Sequence, residues 1–271
     1  MTVTADPFAP APPAASARFL YRLNPLAKLA AVIPATLVLV FVRDLTTPLV
    51  FLAIAYAVLL VGARLTGRLL ALLLLAVPLG IALVGCGFSL WADASLVDTT
   101  PVVLQVGDWR LYAGALHTGF ATGLRLGAII ALALMAGLTT TGPDLVRSFV
   151  QQLRVPYRIG YTALAAFRFV PRFAHELDVI RQAHRVRGAS GGRGPFAAPA
   201  RWFGYVVPLL AGAIRHAERV ALAMDARAFG AYADRTERHD VPFRTRDVVF
   251  VLALWAASAA VLIALFPWGI G

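Results

Sequence analysis

Five runs of apolar residues, at 26–42, 48–63, 69–91, 116–138 and 247–268, constrain this chain more than any other feature. Crossing the hydrocarbon of a bilayer takes about 20 helical residues, with about 17–25 usual. The first two runs sit at or below that range, and Pro78 breaks the third. Composition points the same way. The chain is 59% hydrophobic and 14% charged, against roughly 45–50% and about 25% in a soluble domain. The expected fold is an all-α membrane protein of about five transmembrane helices, with an insert of two long helices and one short helix before the last span.

Charge fixes an orientation. Net charge is +11, nearly all of it arginine, because Lys28 is the only lysine. Residues 143–246 hold 17 of the 25 basic residues. Basic loops stay on the cytoplasmic side, so this insert is expected in the cytosol. The loop at 91–116 carries Asp93, Asp98 and Asp108 against Arg110 alone and is expected outside. The amino terminus then lies inside and the carboxyl end outside, with Arg43 beside Asp44 as the one mild exception. The expected organisation is a disordered Ala/Pro-rich tail at 1–20, spans one to four at 21–141, the arginine-rich insert at 142–246 and span five at 247–271. The opening shows no basic region followed by an apolar stretch, so no cleaved signal peptide is expected.

Within span four, Gly119, Gly123 and Gly127 form a small-residue stripe that lets another helix approach closely, in this chain or in a partner. Arg125 lies in the same span. An arginine at the centre of a membrane helix costs at least ~2.5 kcal/mol, which makes it a functional candidate; the alternative is a misplaced boundary that lets it reach outward. The single cysteine, Cys86, reads as a small hydrophobe buried in a membrane helix.

The insert holds the most specific signal. A short amphipathic helix opens at Pro143 and Asp144 and runs to Arg154, and Val155-Pro156 breaks the chain. A helix from Tyr157 is apolar to Val170 except for Arg168, then polar through Glu176, Asp178, Arg181 and His184, and ends Val186-Arg187-Gly188. A second helix is apolar from Trp202 to Ile214, then carries Arg215, Glu218 and Arg219, and ends Asp225-Ala226-Arg227-Ala228. Each contains one proline, Pro171 or Pro208, as a possible kink. Arginine suits the negative end of a helix dipole, and glycine closes a helix in the left-handed conformation. A single Arg-Gly ending is an ordinary helix stop. Two such endings on similarly built helices point to docking, because the guanidinium fork makes paired bonds to a carboxylate.

Several chemistries are excluded or weakened. The glycine-rich run 188–195 contains no lysine, so it is no P-loop. The five histidines, His117, His175, His184, His216 and His239, lack metalloprotease spacing. Ser190 matches the Gly-x-Ser-x-Gly spacing in Gly188-Ala189-Ser190-Gly191-Gly192, but the run links two helices and follows no strand, so it is no nucleophile elbow. An enzyme is therefore not expected, and neither is a metal site. A basic patch can bind anionic lipid or nucleic acid, yet here arginines alternate with apolar runs and carboxylates. A self-contained permease would be expected to show ionisable groups at the midplane, and only Arg125 qualifies.

At these residues the sequence resembles the transmembrane (T) component of energy-coupling factor transporters, the vitamin and metal importers. That family's two Ala-Arg-Gly-type motifs match Val186-Arg187-Gly188 and Ala226-Arg227-Ala228, with Val186, Ala228 and Asp225 departing from its usual residues. Arg22-Leu23-Asn24-Pro25 with Lys28, and Phe167-Arg168-Phe169-Val170-Pro171, are also similar. The resemblance runs from about Leu20 onward. It implies a non-catalytic subunit in the plasma membrane of a prokaryote. Two ABC-type ATPase subunits would bind ATP and Mg and grip the two tips through Val186, Arg187, Gly188, Asp225, Ala226, Arg227 and Ala228. A small membrane substrate-binding S component would meet the apolar halves, at Tyr161, Phe167, Phe169, Trp202, Tyr205 and Leu209. The surrounding partner is membrane lipid, and no nucleic acid and no cofactor on this chain are implied. The substrate, vitamin or metal, is not written in this chain.

Overall fold

A computed structural model of the chain describes residues 18–64, 66–91, 100–106, 109–188, 197–232, 236–237 and 239–265. Most of the expected tail, and Trp268, lie outside the described residues. A 3-10 turn at Phe19–Arg22 buries Leu20 completely, so ordered structure starts before the expected end of that tail. The chain divides into two compact units, an apolar one formed by Ala14–Leu145 with Val241–Gly271, and an arginine-rich one formed by Val146–Asp240.

The apolar unit contains α1 (Pro25–Phe41), α2 (Thr46–Gly62), α3 (Gly67–Ala71), a π turn (Leu72–Ala76), α4 (Val77–Trp91), α5 (Ala113–Thr139) and α9 (Thr245–Leu265). Among the described residues, three helical stretches are long and apolar enough to cross a membrane: Gly67–Trp91, Ala113–Thr139 and Thr245–Leu265. α1 and α2 are apolar but 17 residues each, about 26 Å at 1.5 Å per residue. Pro78 does not interrupt the third stretch. Proline lacks a donor and its ring crowds the carbonyl four residues back, and the π turn just before it takes up the misfit.

One short departure from the all-α expectation is a hairpin of β1 (Val102–Val106) and β2 (Trp109–Tyr112), paired antiparallel. Val102, Val103, Val106, Trp109 and Tyr112 are β-branched or aromatic and suit a pleated surface. Only the charged residues of this loop entered the sequence reading.

Packing follows fourfold spacing. α1 buries Ala27, Ala31, Ala35 and Leu39, and α2 buries Phe51, Ala55 and Leu59. α5 answers with Ala128, Ala131, Leu132 and Met135, and all of these except Ala27 belong to one core with Leu73 and Leu254. The glycine stripe lies on another face of α5 and packs within this chain. A Cβ on Gly119 would fall on the Gly85 carbonyl and the Ser89 hydroxyl; on Gly123, on the Ile81 carbonyl; on Gly127, on the Ile81 side chain. In lipid, helices associate through such close approach. Gly85 and Ser89 occupy the packed face of α4, so Cys86 is exposed, which corrects the buried position expected from composition.

Between α1 and α2, the Asp44 carboxylate accepts bonds from Thr46 Oγ1 at 2.6 Å, from the Thr47 amide at 2.8 Å and from Thr47 Oγ1 at 2.8 Å. Burial pushes its pKa up, but these bonds outweigh burial and hold it below the usual carboxylate value. The stabilisation is present above the unfolded carboxylate pKa and fades as pH falls through the lowered one.

Candidate functional site

The arginine-rich unit contains α7 (Tyr157–Val186) and α8 (Ala197–Asp225), with α6 (Gly142–Gln152) leading into it. Arg154, at φ 54°, turns the chain from α6 to α7. Gly160 permits the two to touch, because a Cβ there would strike Val150.

α7 and α8 pair antiparallel, as their contacts show in order. His184 meets Tyr205 edge-on at 5.2 Å between ring centroids. Glu176 covers Gly212, where a Cβ would meet its Oε1. Phe169 stacks on His216 at 4.5 Å and 16°. Tyr157 and Tyr161 flank Phe229 at 5.7 and 6.4 Å. Burial, then the nearby Arg172 and Arg219 charges, lower the His216 pKa against an opposing effect of Glu176, so its ring stacks in the neutral form at pH 7.

Antiparallel pairing decides where the two tips stand. Arg187 lies beyond His184, beside the start of α8, and Arg227 lies at its end. Residues 202–227 separate these levels by roughly 35–40 Å at 1.5 Å per residue. The tips therefore occupy opposite ends of one rod, which the sequence reading left open.

Both tips close by the same geometry. At the first, Gly188 has φ 68° and its amide donates to the Arg185 carbonyl at 3.1 Å. At the second, Ala228 has φ 55°, its amide donates to the Asp225 carbonyl at 2.9 Å, and the Phe229 amide donates to Met224 at 3.0 Å. The second is a complete Schellman stop, and the first repeats its inner bond. Each arginine immediately precedes the left-handed residue. Both side chains are exposed, and neither has a hydrogen-bond or ion-pair partner among the described residues. Val186, 88% exposed, projects beside Arg187, and Asp225 and Ala226 are exposed at the other tip.

The alanine at 228 carries a cost that glycine would not. A left-handed conformation costs an L-residue roughly 1–2 kcal/mol. Ala228→Gly is expected to steady the second tip by about 1 kcal/mol, slowing hydrogen exchange of the Phe229 amide ~5-fold.

A brace behind the second tip was not foreseen. The Arg158 guanidinium donates to the Gly230 carbonyl, Tyr157 Oη donates to the Tyr232 carbonyl at 2.7 Å, and Tyr161 Oη donates to Glu237 at 2.6 Å. Gly230, at φ 89°, turns the chain back toward α7.

The expected apolar contact residues divide. Phe167 and Trp202 are exposed. Tyr161, Phe169 and Tyr205 are half-buried and engaged inside the helix pair, and Leu209 is half-buried as well. The exposed apolar residues the sequence reading passed over are Ile159, Val170, Phe203, Val206, Val207, Leu210 and Ile214. Choosing the bulkiest residue of each run selected some inward-facing ones. Arg125 is the thirteenth residue of the 27 in α5, at the middle of that helix. It is half-buried, and its Nε is buried without a hydrogen-bond partner among the described residues.

An apolar helical unit joined to an antiparallel pair with exposed arginine tips defines an all-α membrane protein whose polar specialisation is at helix ends. Among the described residues no group of His, Cys, Asp or Glu is placed to hold a metal. The chain belongs to the CbiQ family, described as cobalt transport protein, whose profile matches residues 16–238. Relatives carry the name energy-coupling factor transporter transmembrane protein EcfT. That of Brevibacillus brevis is 27% identical over 92% of this chain and 93% of its own length, and that of Acidaminococcus fermentans is 28% identical over 93% of each. The Bacillus subtilis protein of that name is 26% identical over 59% of this chain, which spans 63% of that relative. A Bifidobacterium longum protein named as an ABC transporter ATP-binding protein is 30% identical over 90% of this chain but only 31% of its own length.

Proposed function

We propose that this chain is the passive membrane subunit of an energy-coupling factor importer, carrying motion from two ABC-type ATPases to a separate substrate-binding S component. The observation that carries the reading is the pair of exposed arginines, without side-chain partners among the described residues, each just before a left-handed residue that closes its helix, at opposite ends of one antiparallel rod. Two tips some 35–40 Å apart suit two ATPases better than one. Each guanidinium would enter an ATPase groove and meet a carboxylate there. When ATP and Mg draw the ATPases together, both ends of α7–α8 move, and the rod transmits the displacement. The long Bifidobacterium relative supports the pairing with ATPases, since an ATP-binding name there belongs to a chain that also contains a region like this one.

The S component would lie on the exposed apolar surface that includes Phe167 and Trp202, extended by Phe203, Val206, Val207 and Leu210. The arginine-rich unit would face the cytoplasm, with the amino terminus inside and the carboxyl end outside, by the distribution of basic loops. Substrate choice would rest with the S component. A metal cargo has the support of the family's description, and vitamins remain open.

Stoichiometry tests this reading. The chain, co-produced with two ABC-type ATPases and a small membrane S component from its own organism, is expected to purify as one copy with two ATPases and one S component by native mass spectrometry. Purification as a homo-oligomer that takes up substrate without ATPases would instead establish a self-contained permease.

A further inference from the structure

The chain leaves the apolar unit after Leu145 and re-enters it at Val241. Both connections are held by one buried turn at the start of α1. Lys28 Nζ donates to the Thr139 carbonyl at 2.7 Å and to Thr139 Oγ1 at 3.1 Å, at the last residue of α5. Thr139 Oγ1 donates in turn to the Met135 carbonyl at 2.7 Å. Four residues before Lys28, Asn24 holds the return path. Its backbone amide donates to Asp247 Oδ1 at 2.7 Å, and its Nδ2 donates to the Val241 carbonyl at 3.1 Å and the Pro242 carbonyl at 3.5 Å. The second Asp247 oxygen accepts from the Arg244 amide at 2.7 Å. Asn24 also caps α1, its Oδ1 accepting from the Leu26 amide at 2.9 Å, with Pro25 at the first helical position.

All four side chains are at least nine-tenths buried: Asn24 3% exposed, Lys28 1%, Thr139 5% and Asp247 0%. A buried amide, ammonium and carboxylate are expensive unless their bonds are made, and removing one partner strands the rest. An apolar bundle could close these helix ends with leucine. Polar groups that bond main-chain atoms of both connections give something leucine does not, a fixed position along the chain direction.

We propose, on the reading of the chain as a passive coupling subunit, that Asn24, Lys28, Thr139 and Asp247 form its fulcrum. They are positioning residues. A segment that moves the arginine-rich unit pulls on residues 140–145 and 241–244. Because the first of these segments begins just after Thr139, which Lys28 holds, and the second is held by Asn24 through Val241, Pro242 and Asp247, both are tied to the same turn of α1, and the pull displaces α1 and the helices packed on it.

The test uses the complete transporter in proteoliposomes. In Lys28→Met, Asn24→Ala and Asp247→Asn, assembly with the ATPases is expected to persist and ATP hydrolysis to stay within about twofold of wild type, while substrate taken up per ATP hydrolysed falls at least ~10-fold. Normalising uptake to hydrolysis separates this from mere instability, which lowers both together. Variants that assemble and keep the wild-type ratio would overturn the fulcrum. A second measurement needs none of these substitutions. With spin labels at Tyr21 and Leu138, in a Cys86→Ser background, the separation is expected to stay constant with and without nucleotide, and a nucleotide-dependent change would overturn the pin. If Arg187→Glu and Arg227→Glu leave uptake intact, the coupling reading itself fails. If they abolish uptake while the four buried residues prove dispensable to the ratio, only the fulcrum fails.

Discussion

Arg187→Glu and Arg227→Glu, each made singly, are expected to abolish ATP-driven uptake while leaving the chain folded in the membrane. Both side chains are exposed and neither has a hydrogen-bond or ion-pair partner among the described residues, so folding loses little. Docking loses much. Removing one member of a desolvated charge pair at an interface costs about 2–5 kcal/mol, which under the proposed docking would weaken that tip's grip at least ~30-fold, and a glutamate would add repulsion from the proposed groove carboxylate. It also places negative charge at the negative end of the helix dipole. Because the tips stand at opposite ends of one rod, losing either leaves the second ATPase pulling on an unbalanced lever, and each single variant should be as inactive as the double. Uptake assays in membrane vesicles, beside co-purification of the ATPases, read both effects. Arg187→Lys and Arg227→Lys should retain part of the activity, since a point charge replaces the bidentate fork.

Gly123→Leu is expected to eliminate the folded protein. The glycine stripe lets α4 and α5 approach backbone to backbone, and a Cβ at Gly123 meets the Ile81 carbonyl. Overpacking a core costs roughly 1–3 kcal/mol when side chains can move aside. Here the obstruction is main chain, so the helices must separate and the Gly119 and Gly127 contacts go with it. The expected readout is loss of monodisperse protein in detergent. Leucine at Gly137, where a Cβ meets nothing within 4 Å, should leave the protein folded. Equal tolerance of both would place the stripe against something other than α4.

Much of this was legible in the residues because the relevant physics is local. Apolar run length marks the helices, and Pro156 marks the break before α7. The tips were legible for the same reason: a helix-end arginine followed by glycine closes in the left-handed conformation. Ala228 shows the limit, since the sequence alone did not say whether alanine would adopt that geometry, and the rest of the Schellman stop imposes it. Non-local features were not legible. The antiparallel sense of α7 and α8 depends on contacts such as Phe169 with His216, far apart along the chain. The buried set around Lys28 joins residues up to 223 positions apart, and its one local sign was a lone lysine entering an apolar run behind Asn-Pro. The π turn before Pro78 follows from the proline's misfit with the helix, and the outward position of Cys86 follows from which face of α4 meets the glycine stripe.

Cysteine cross-linking tests the central claim most directly. In a Cys86→Ser background, cysteines introduced one at a time at positions 186 and 226, each beside a tip arginine that stays in place, are paired with single cysteines lining the groove of each ATPase in the assembled transporter. The account predicts that each tip links to an ATPase, that the two tips link to different ATPase copies, and that bridging either one halts uptake. Tips that link to one and the same copy, or that link only to other positions of their own chain, would contradict it.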